Sequence, residues 1–211
     1  MKTLTKEIQT SFTPEKAIEI LKMGNERFVN NLKANRNLLQ QVNETSDGQH
    51  PFAVILSCID SRTSAELIFD QGLGDIFSIR IAGNILNEDI LGSMEFACKI
   101  AGAKAVIVLG HSKCGAIKGA CDNVEMGNLT ALLTKIRPAV DDELIIKENR
   151  NSSNAEFVEK VAVINVKRTV KAIMERSPIL NEMIKTGELD LIGAMYDVET
   201  GVVTFYQNRE L

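Results

Sequence analysis

Two short segments combine residues that can hold a metal ion and carry out acid–base chemistry. In Cys58-Ile59-Asp60-Ser61-Arg62, a thiol, a carboxylate and a guanidinium occur within five residues. In Gly110-His111-Ser112-Lys113-Cys114-Gly115, a histidine and a cysteine stand three positions apart. Thiolate and imidazole are preferred ligands of zinc, and three protein ligands with one open position are typical of catalytic zinc. The residue types predict a Cys₂His zinc site made of Cys58, His111 and Cys114.

Each segment taken alone also has a simpler interpretation. Cys58 can be a buried cysteine followed by a surface ion pair between Asp60 and Arg62, and His111 can be an ordinary core histidine. The metal hypothesis is favoured because the pattern occurs twice and the chain has only two histidines. A guanidinium can bind a carboxylate through two parallel hydrogen bonds. We therefore expect Arg62 to hold Asp60.

Both segments follow a run of apolar residues that is typical of a buried parallel strand. The runs are residues 52–56 and 104–109, each rich in β-branched side chains. In open α/β sheets, ligands bind in the crevice at the carboxyl ends of the strands. The two segments are therefore expected at the same edge of one sheet, where their side chains can meet.

These motifs resemble those of the β-class carbonic anhydrases, which show Cys-x-Asp-Ser-Arg and, further along the chain, His-x-x-Cys. The resemblance continues through residues 65–72, 75–77, 80–84 and 92–97 and covers most of the chain from 14 to 207. It implies a zinc lyase that reversibly hydrates carbon dioxide to bicarbonate and a proton. It also implies two states of Asp60, which either orients the zinc-bound hydroxide while paired with Arg62 or closes the site as a fourth zinc ligand.

The resemblance further implies a shared active site. In the family, a glutamine at the position of Gln49 binds bicarbonate in the neighbouring subunit's site, so a homodimer or homotetramer is expected. An amino-terminal helical arm, about residues 13–34, reaches the partner in that family. From the residues alone, Gln49 and His50 are ordinary loop residues, and the apolar stripe of the arm faces its own core. We also consider His50 as a candidate proton shuttle for the reaction.

Length and composition predict one α/β domain spanning residues 1–211. At 211 residues and 45% apolar content the chain can fill a single core. Further strands at 76–80, 189–196 and 202–206 predict a mostly parallel central sheet with an antiparallel edge strand, flanked by helices. Residues 35–50 are expected to form a connection, and 128–146 a helix broken or kinked at Pro138.

Charge and cysteine content bear on partners and compartment. The net charge is −4, with acids and bases interspersed, so neither nucleic acid nor a membrane is expected as a partner. Four cysteines, two of them expected zinc ligands, favour a reducing compartment, and the amino terminus lacks a secretory pattern. The expected location is the cytoplasm. We expect Cys98 and Cys121 to be structural, and Cys114 to lie at a helix amino end, which lowers a thiol pKa.

Two other functions stay open on the sequence. The same site would suit hydrolysis of carbonyl sulfide or carbon disulfide, which are also linear molecules. Alternatively, Asp60 could close the site permanently and leave a non-enzymatic zinc module.

Overall fold

A five-stranded sheet forms the centre of the structure, a computed structural model that describes residues 3–206. The strands are β1 (Ala53–Ser57), β2 (Ile76–Arg80), β3 (Ala105–His111), β4 (Asp190–Tyr196) and β5 (Val203–Phe205). Their order across the sheet is β2-β1-β3-β4-β5. The first four are parallel, and β5 pairs antiparallel with β4. The predicted fold class, a mostly parallel sheet with an antiparallel edge, is confirmed.

Helices cover both faces of the sheet. They are α1 (Lys6–Ser11), α2 (Pro14–Val29), α3 (Leu38–Glu44), α4 (Ala65–Ile68), α5 (Glu88–Glu95), α6 (Gly115–Cys121), α7 (Gly127–Thr134), α8 (Arg137–Asp142), α9 (Ala155–Arg176) and α10 (Pro178–Lys185). A 3₁₀ turn forms at Ala82–Asn84, and a π-helical segment at Phe96–Ile100 continues α5. No helix in the described part of the chain is long and apolar enough to span a membrane.

The strands β1 and β3 are the buried centre of the sheet. Every residue of both is buried, as expected for strands covered on both faces. They pair in register, with Val54 opposite Val106 and Leu56 opposite Val108. Because neighbouring side chains alternate between faces, these four pack into the core under α5, α6 and α9. The carboxyl ends of both strands are thereby fixed side by side.

The opposite face of the sheet is covered by α2 and α4. Ala17, Ile18 and Leu21 of α2 are buried against this face. Asn25 ties the helix to the β4–β5 hairpin, because its side chain donates to the Gly201 carbonyl (2.9 Å) and accepts from the Val203 N–H (2.9 Å). The first part of the amino-terminal stripe therefore packs on the core of its own chain. Leu32, beyond the helix end, is 68% exposed.

Several helix ends follow the capping signals of the sequence. Thr13, Asn87 and Asn154 precede α2, α5 and α9, and each side chain accepts a hydrogen bond from the backbone N–H three residues on. The expectation of a connection without structure at 35–50 was wrong, because this segment contains α3, which buries only Gln41 and so has no apolar stripe to reveal it. The expected break in the 128–146 helix is present between α7 and α8. It lies just before Pro138, which is in the first turn of α8, where proline needs no N–H partner.

Candidate metal centre and active site

Three side chains with metal-binding atoms converge at the carboxyl edge of the sheet. Cys58 directly follows β1, His111 ends β3, and Cys114 precedes α6. All three residues are buried, and their ligand atoms lie within 4.8 Å of one another. The site lies between two adjacent parallel strands whose connections leave in opposite directions, which is where α/β sheets place ligands. The spacing suits a single ion held by all three.

The imidazole of His111 is oriented for metal binding. Its Nδ1 lies 2.9 Å from the Ser112 carbonyl oxygen, which can only accept, so Nδ1 carries the proton. The other nitrogen, Nε2, is buried and has no hydrogen-bond partner among the described residues. A buried nitrogen without a partner is costly. A histidine that donates one N–H to a carbonyl and offers the other nitrogen is the usual form of a metal ligand.

The loop between His111 and Cys114 folds tightly to bring both side chains to one point. Lys113 adopts a left-handed conformation, with φ of 57°. Ser112 fixes the loop to the end of β4: its N–H donates to the Tyr196 carbonyl (2.9 Å), and its hydroxyl donates to Asp197 (3.2 Å). The two ligands are therefore held by the sheet on one side and by α6 on the other.

The pKa values of the two cysteines are shifted in opposite directions. The pKa of Cys58 falls to about 4, chiefly because the thiol of Cys114 donates a hydrogen bond to its sulfur, while burial opposes the change. The pKa of Cys114 is raised by that same hydrogen bond and by burial, although the N–H groups of Ile117 and Ala116 act to lower it. The helix end therefore acts on Cys114 in the expected direction, but the neighbouring Cys58 and burial outweigh it, and the net shift of the pKa is upward. A bound divalent cation removes both protons.

Asp60 is held by Arg62 and is not part of the three-residue cluster. The Arg62 guanidinium donates to both carboxylate oxygens, from Nε (2.9 Å) and Nη2 (2.8 Å), and the Arg62 backbone N–H donates a third bond (3.0 Å). These bonds keep the pKa of Asp60 well below its usual range. Of the two states considered from the sequence, the structure shows the one in which Asp60 is paired with Arg62.

Two further residues hold the loop that carries Cys58 and Asp60, and neither was expected from the sequence to act at the site. Arg80 donates to the Cys58 carbonyl (3.1 Å) and to the Asp60 carbonyl (2.6 Å). The hydroxyl of Thr63 lies 3.0 Å and 2.9 Å from the same two oxygens. The register of β1 and β2 explains the position of Arg80, which pairs with Ser57, the residue before Cys58, and the sequence alone did not reveal that register.

Gln49 and His50 lie at the end of the sheet where β1 begins, opposite the end that carries the metal centre. They precede β1, whereas Cys58 follows it, and Gln49 is exposed. The five residues of β1 separate the two ends by roughly 16 Å, at about 3.3 Å per residue. Neither side chain is therefore placed to serve the metal centre of its own chain.

The remaining two cysteines are buried away from the cluster. Burial raises the pKa of Cys98 to about 12 and that of Cys121 to about 11. Thiols of this kind are inert, because the thiolate is the reactive form. All four cysteines are free of disulfides.

Known proteins share both the sequence pattern and the fold. A family model described as carbonic anhydrase matches residues 53–203. Carbonic anhydrase 2 of Mycobacterium tuberculosis is 36% identical over 196 residues, covering 89% of this chain and 90% of that protein. The chain belongs to the carbonic anhydrase family.

Solved structures specify the β class of the family. The β-carbonic anhydrase CafA of Aspergillus fumigatus superposes with a TM-score of 0.71 at 27% identity, covering 80% of this chain and 81% of that one. One of the two tetrameric β-carbonic anhydrases of Sordaria macrospora gives 0.68 at 25% identity, with coverage of 77% and 84%. The resemblance stated from the motifs is confirmed.

The donor set fits zinc. Two sulfur donors and one nitrogen suit this borderline-soft ion, and three protein ligands leave a position for the reacting molecule. The unpartnered Nε2 of His111 gains a partner when an ion binds there, and both cysteines can bind that ion as thiolates. The triad of Cys58, His111 and Cys114 is therefore consistent with the zinc site of a β-carbonic anhydrase.

Proposed function

We propose that this protein catalyses the reversible hydration of carbon dioxide to bicarbonate and a proton. The observation that carries the proposal is the convergence of Cys58, His111 and Cys114 within 4.8 Å at the carboxyl edge of the sheet. Zinc bound there supplies Lewis acidity that makes water nucleophilic near neutral pH, an effect for which carbonic anhydrases with three histidine ligands are the established example. The two thiolates and the imidazole hold the ion.

Asp60 and Arg62 orient the reacting water. Because Arg62 keeps the Asp60 carboxylate ionised, that carboxylate can accept a hydrogen bond from the water and direct its lone pair toward carbon dioxide. The water oxygen bonds to the carbon, one carbon–oxygen double bond opens, and one proton passes to the solvent buffer. Arg80 and Thr63 contribute indirectly, by fixing the backbone that carries Asp60.

We propose that the active protein is a homodimer or homotetramer in which Gln49 donates a hydrogen bond to bicarbonate in the partner's site. Gln49 is exposed and lies roughly one strand length from its own Cys58, so only another copy of the chain can use it in this way. The related Sordaria macrospora enzymes are tetrameric. Exposed apolar side chains along the amino-terminal arm, including Met23 and Leu32, are available for such contacts.

The proposed location is the cytoplasm. The four free cysteines support it, because a reducing compartment keeps thiols available to zinc and free of disulfides.

Metal analysis and stopped-flow assays on the purified protein test the function. We expect about one zinc per chain and rapid hydration of carbon dioxide. Carbonyl sulfide and carbon disulfide are assayed beside it at equal concentration. Faster hydrolysis of either sulfur compound would make it the substrate instead. Bound zinc without any acceleration between acidic and alkaline pH would contradict an enzymatic role and favour a closed zinc module.

A further inference from the structure

A backbone N–H donates a hydrogen bond to one of the two zinc-binding sulfurs. It belongs to Gly83, in the 3₁₀ turn after β2, and its nitrogen lies 3.4 Å from Cys58 Sγ. A hydrogen bond to a thiolate draws electron density from the sulfur and so tunes how strongly it donates to the metal. The position of the Gly83 peptide is therefore a property of the metal centre, although Gly83 is not a ligand.

The Gly83 backbone needs support to stay in place. Its φ is +66°, in the left-handed region that favours glycine. The space beside it is also full: a Cβ at this position would lie 2.5 Å from Ile136 Cδ1 and 3.3 Å from Ala116 Cβ. The turn is thus pressed against α6 and the chain before α8, and a small shift of its peptide would change the distance to Cys58 Sγ.

Asn165 of α9 holds this turn through one hydrogen bond. Its Nδ2 donates to the Gly83 carbonyl at 2.9 Å. Asn165 is 4% exposed and lies among apolar helix residues such as Val161, Ala162 and Val166. A buried amide costs free energy unless it is paired, so packing alone would favour an apolar residue here. The hydrogen bond to the turn explains why a polar side chain occurs at this buried position of α9.

We propose that Asn165 is a positioning residue for the zinc centre, acting through Gly83 on the sulfur of Cys58. The proposal rests on the proposed zinc enzyme, since it assigns a role within the same site. The hydrogen bond of the Asn165 side chain is made to the backbone of the turn. By holding the Gly83 carbonyl, it keeps the N–H of the same residue aimed at Cys58 Sγ and so limits the electron donation of that thiolate.

Cobalt substitution gives a spectroscopic signal that would stay unchanged if Asn165 had only a structural role. Metal-free protein is reconstituted with Co²⁺, and the thiolate-to-cobalt charge-transfer band is recorded in the near ultraviolet. Asn165→Asp is nearly isosteric but cannot donate when ionised, and Asn165→Ala removes the amide without adding charge. In both variants we expect the band to move to longer wavelength, because a thiolate that loses a hydrogen bond is more easily oxidised.

Release of zinc to a chelator is the second measurement. Residues that support metal ligands typically contribute 10- to 100-fold to metal affinity. We expect Asn165→Ala to release zinc about 10-fold faster than the wild-type protein, because loss of the group that fixes the orientation of Cys58 Sγ outweighs the stronger electron donation of that thiolate. This measurement and the cobalt spectrum do not depend on catalysis. A wild-type protein that binds zinc but fails to hydrate carbon dioxide would refute the proposed function and leave this comparison valid.

Asn25 supplies the matched control on the opposite face of the sheet. It is 5% exposed, lies on α2, and also donates to backbone carbonyls, those of Ile68 and Gly201. Asn25→Asp and Asn25→Ala should lower the unfolding temperature while leaving the cobalt band and zinc release unchanged. If Asn165→Asp does not fold, Asn165→Ala decides. An unchanged band and release rate in Asn165→Ala, or equal changes in the Asn25 variants, would overturn the proposal.

Discussion

At the scale of single residues, Arg62 matters through the carboxylate that it binds. Its side chain is 48% exposed and contacts Asp60 through two donors, so we expect it to orient Asp60 and to add little to folding. We expect Arg62→Ala to lower the hydration rate about 100-fold, the order of loss that follows misplacement of a catalytic group. Zinc content should stay at the wild-type level. Stopped-flow assays with metal analysis on the same sample test both statements.

Arg62→Lys separates charge from geometry. Lysine keeps the positive charge but presents a point charge in place of a planar fork, so it cannot bind both oxygens of Asp60 in the same way. We expect the hydration rate of this variant to lie between those of Arg62→Ala and the wild-type protein. A rate equal to the wild type would show that charge alone is sufficient.

The pH dependence of hydration should reflect the two thiolates. Their negative charges offset the charge of zinc, so the reacting water should ionise at higher pH than beside three neutral imidazoles. The rate should therefore rise through the alkaline range and be low below neutrality. Protonation of Asp60 does not cause this rise, because Arg62 holds the pKa of Asp60 well below its usual range and the carboxylate stays ionised throughout. A flat profile between pH 6 and 9, measured by stopped flow, would contradict this account.

The sequence revealed the residues whose chemistry is unusual and missed those that act through backbone contacts. Cys58, His111 and Cys114 could be recognised because few other residue types bind zinc. Arg80 and Thr63 could not, because they bind carbonyl oxygens, which every residue carries. Their roles depend on the distance between two strands and on the path of the loop, which only the folded chain defines.

At the scale of elements, a buried carboxylate just after α4 binds α2 and the segment that follows it through ion pairs and a hydrogen bond. Asp70 is 4% exposed, has a left-handed φ of 45°, and is paired with Arg27 and Arg36. It also accepts the N–H of Ala34 (3.1 Å). Burial acts to raise the pKa of Asp70, but these bonds lower it overall. One side chain thus holds a chain segment that has no helix or strand of its own.

Asp70→Asn tests the contribution of these ion pairs to stability, because asparagine has nearly the same side-chain shape as aspartate and tolerates a positive φ. At pH 7 we expect the free energy of unfolding to fall by about 3 kcal/mol, the cost of breaking a buried ion pair. Because the pKa of Asp70 is lowered in the folded state, its contribution is complete above the unfolded-state pKa and is lost as pH falls through the folded-state value. The difference between variant and wild type in urea denaturation, measured from pH 7 down to about pH 2, should therefore stay level to about pH 4 and shrink below it. A constant difference would argue against an ionic origin.

Helices and strands were predicted best where the sequence has a continuous apolar run or a clear capping residue. The strands β1 and β3 are continuous apolar runs, and α9 begins at its asparagine cap, Asn154. The short helices α1 and α3 were not predicted, because each buries a single residue, Gln9 and Gln41 respectively, and both are polar. A helix that is held by side-chain hydrogen bonds leaves little periodicity in the sequence.

At the scale of the whole molecule, the position of Gln49 makes the proposed sharing of sites testable by mixing two inactive variants. Gln49→Ala lacks the partner contact, and Cys114→Ala lacks a zinc ligand. In a mixed dimer, the metal centre of the first chain faces the intact Gln49 of the second. We expect that refolding the two variants together restores one active site in each mixed dimer. The hydration rate of the mixture should then exceed the sum of the rates of the two variants measured separately. No gain would mean that Gln49 does not act between chains.

Light scattering on the wild-type protein accompanies this experiment. A fully active monomer at the assay concentration would contradict the proposed assembly directly, because Gln49 cannot reach the metal centre of its own chain.

The central claim is that Cys58, His111 and Cys114 hold the catalytic zinc, and paired measurements on two cysteine variants test it most directly. Cys114→Ala removes a ligand, whereas Cys121→Ala makes the same change in a buried cysteine seven residues further on. Zinc content and carbon dioxide hydration are measured on each. We predict that Cys114→Ala loses zinc and hydration together, while Cys121→Ala retains both. Full zinc occupancy and normal hydration in Cys114→Ala would contradict the account.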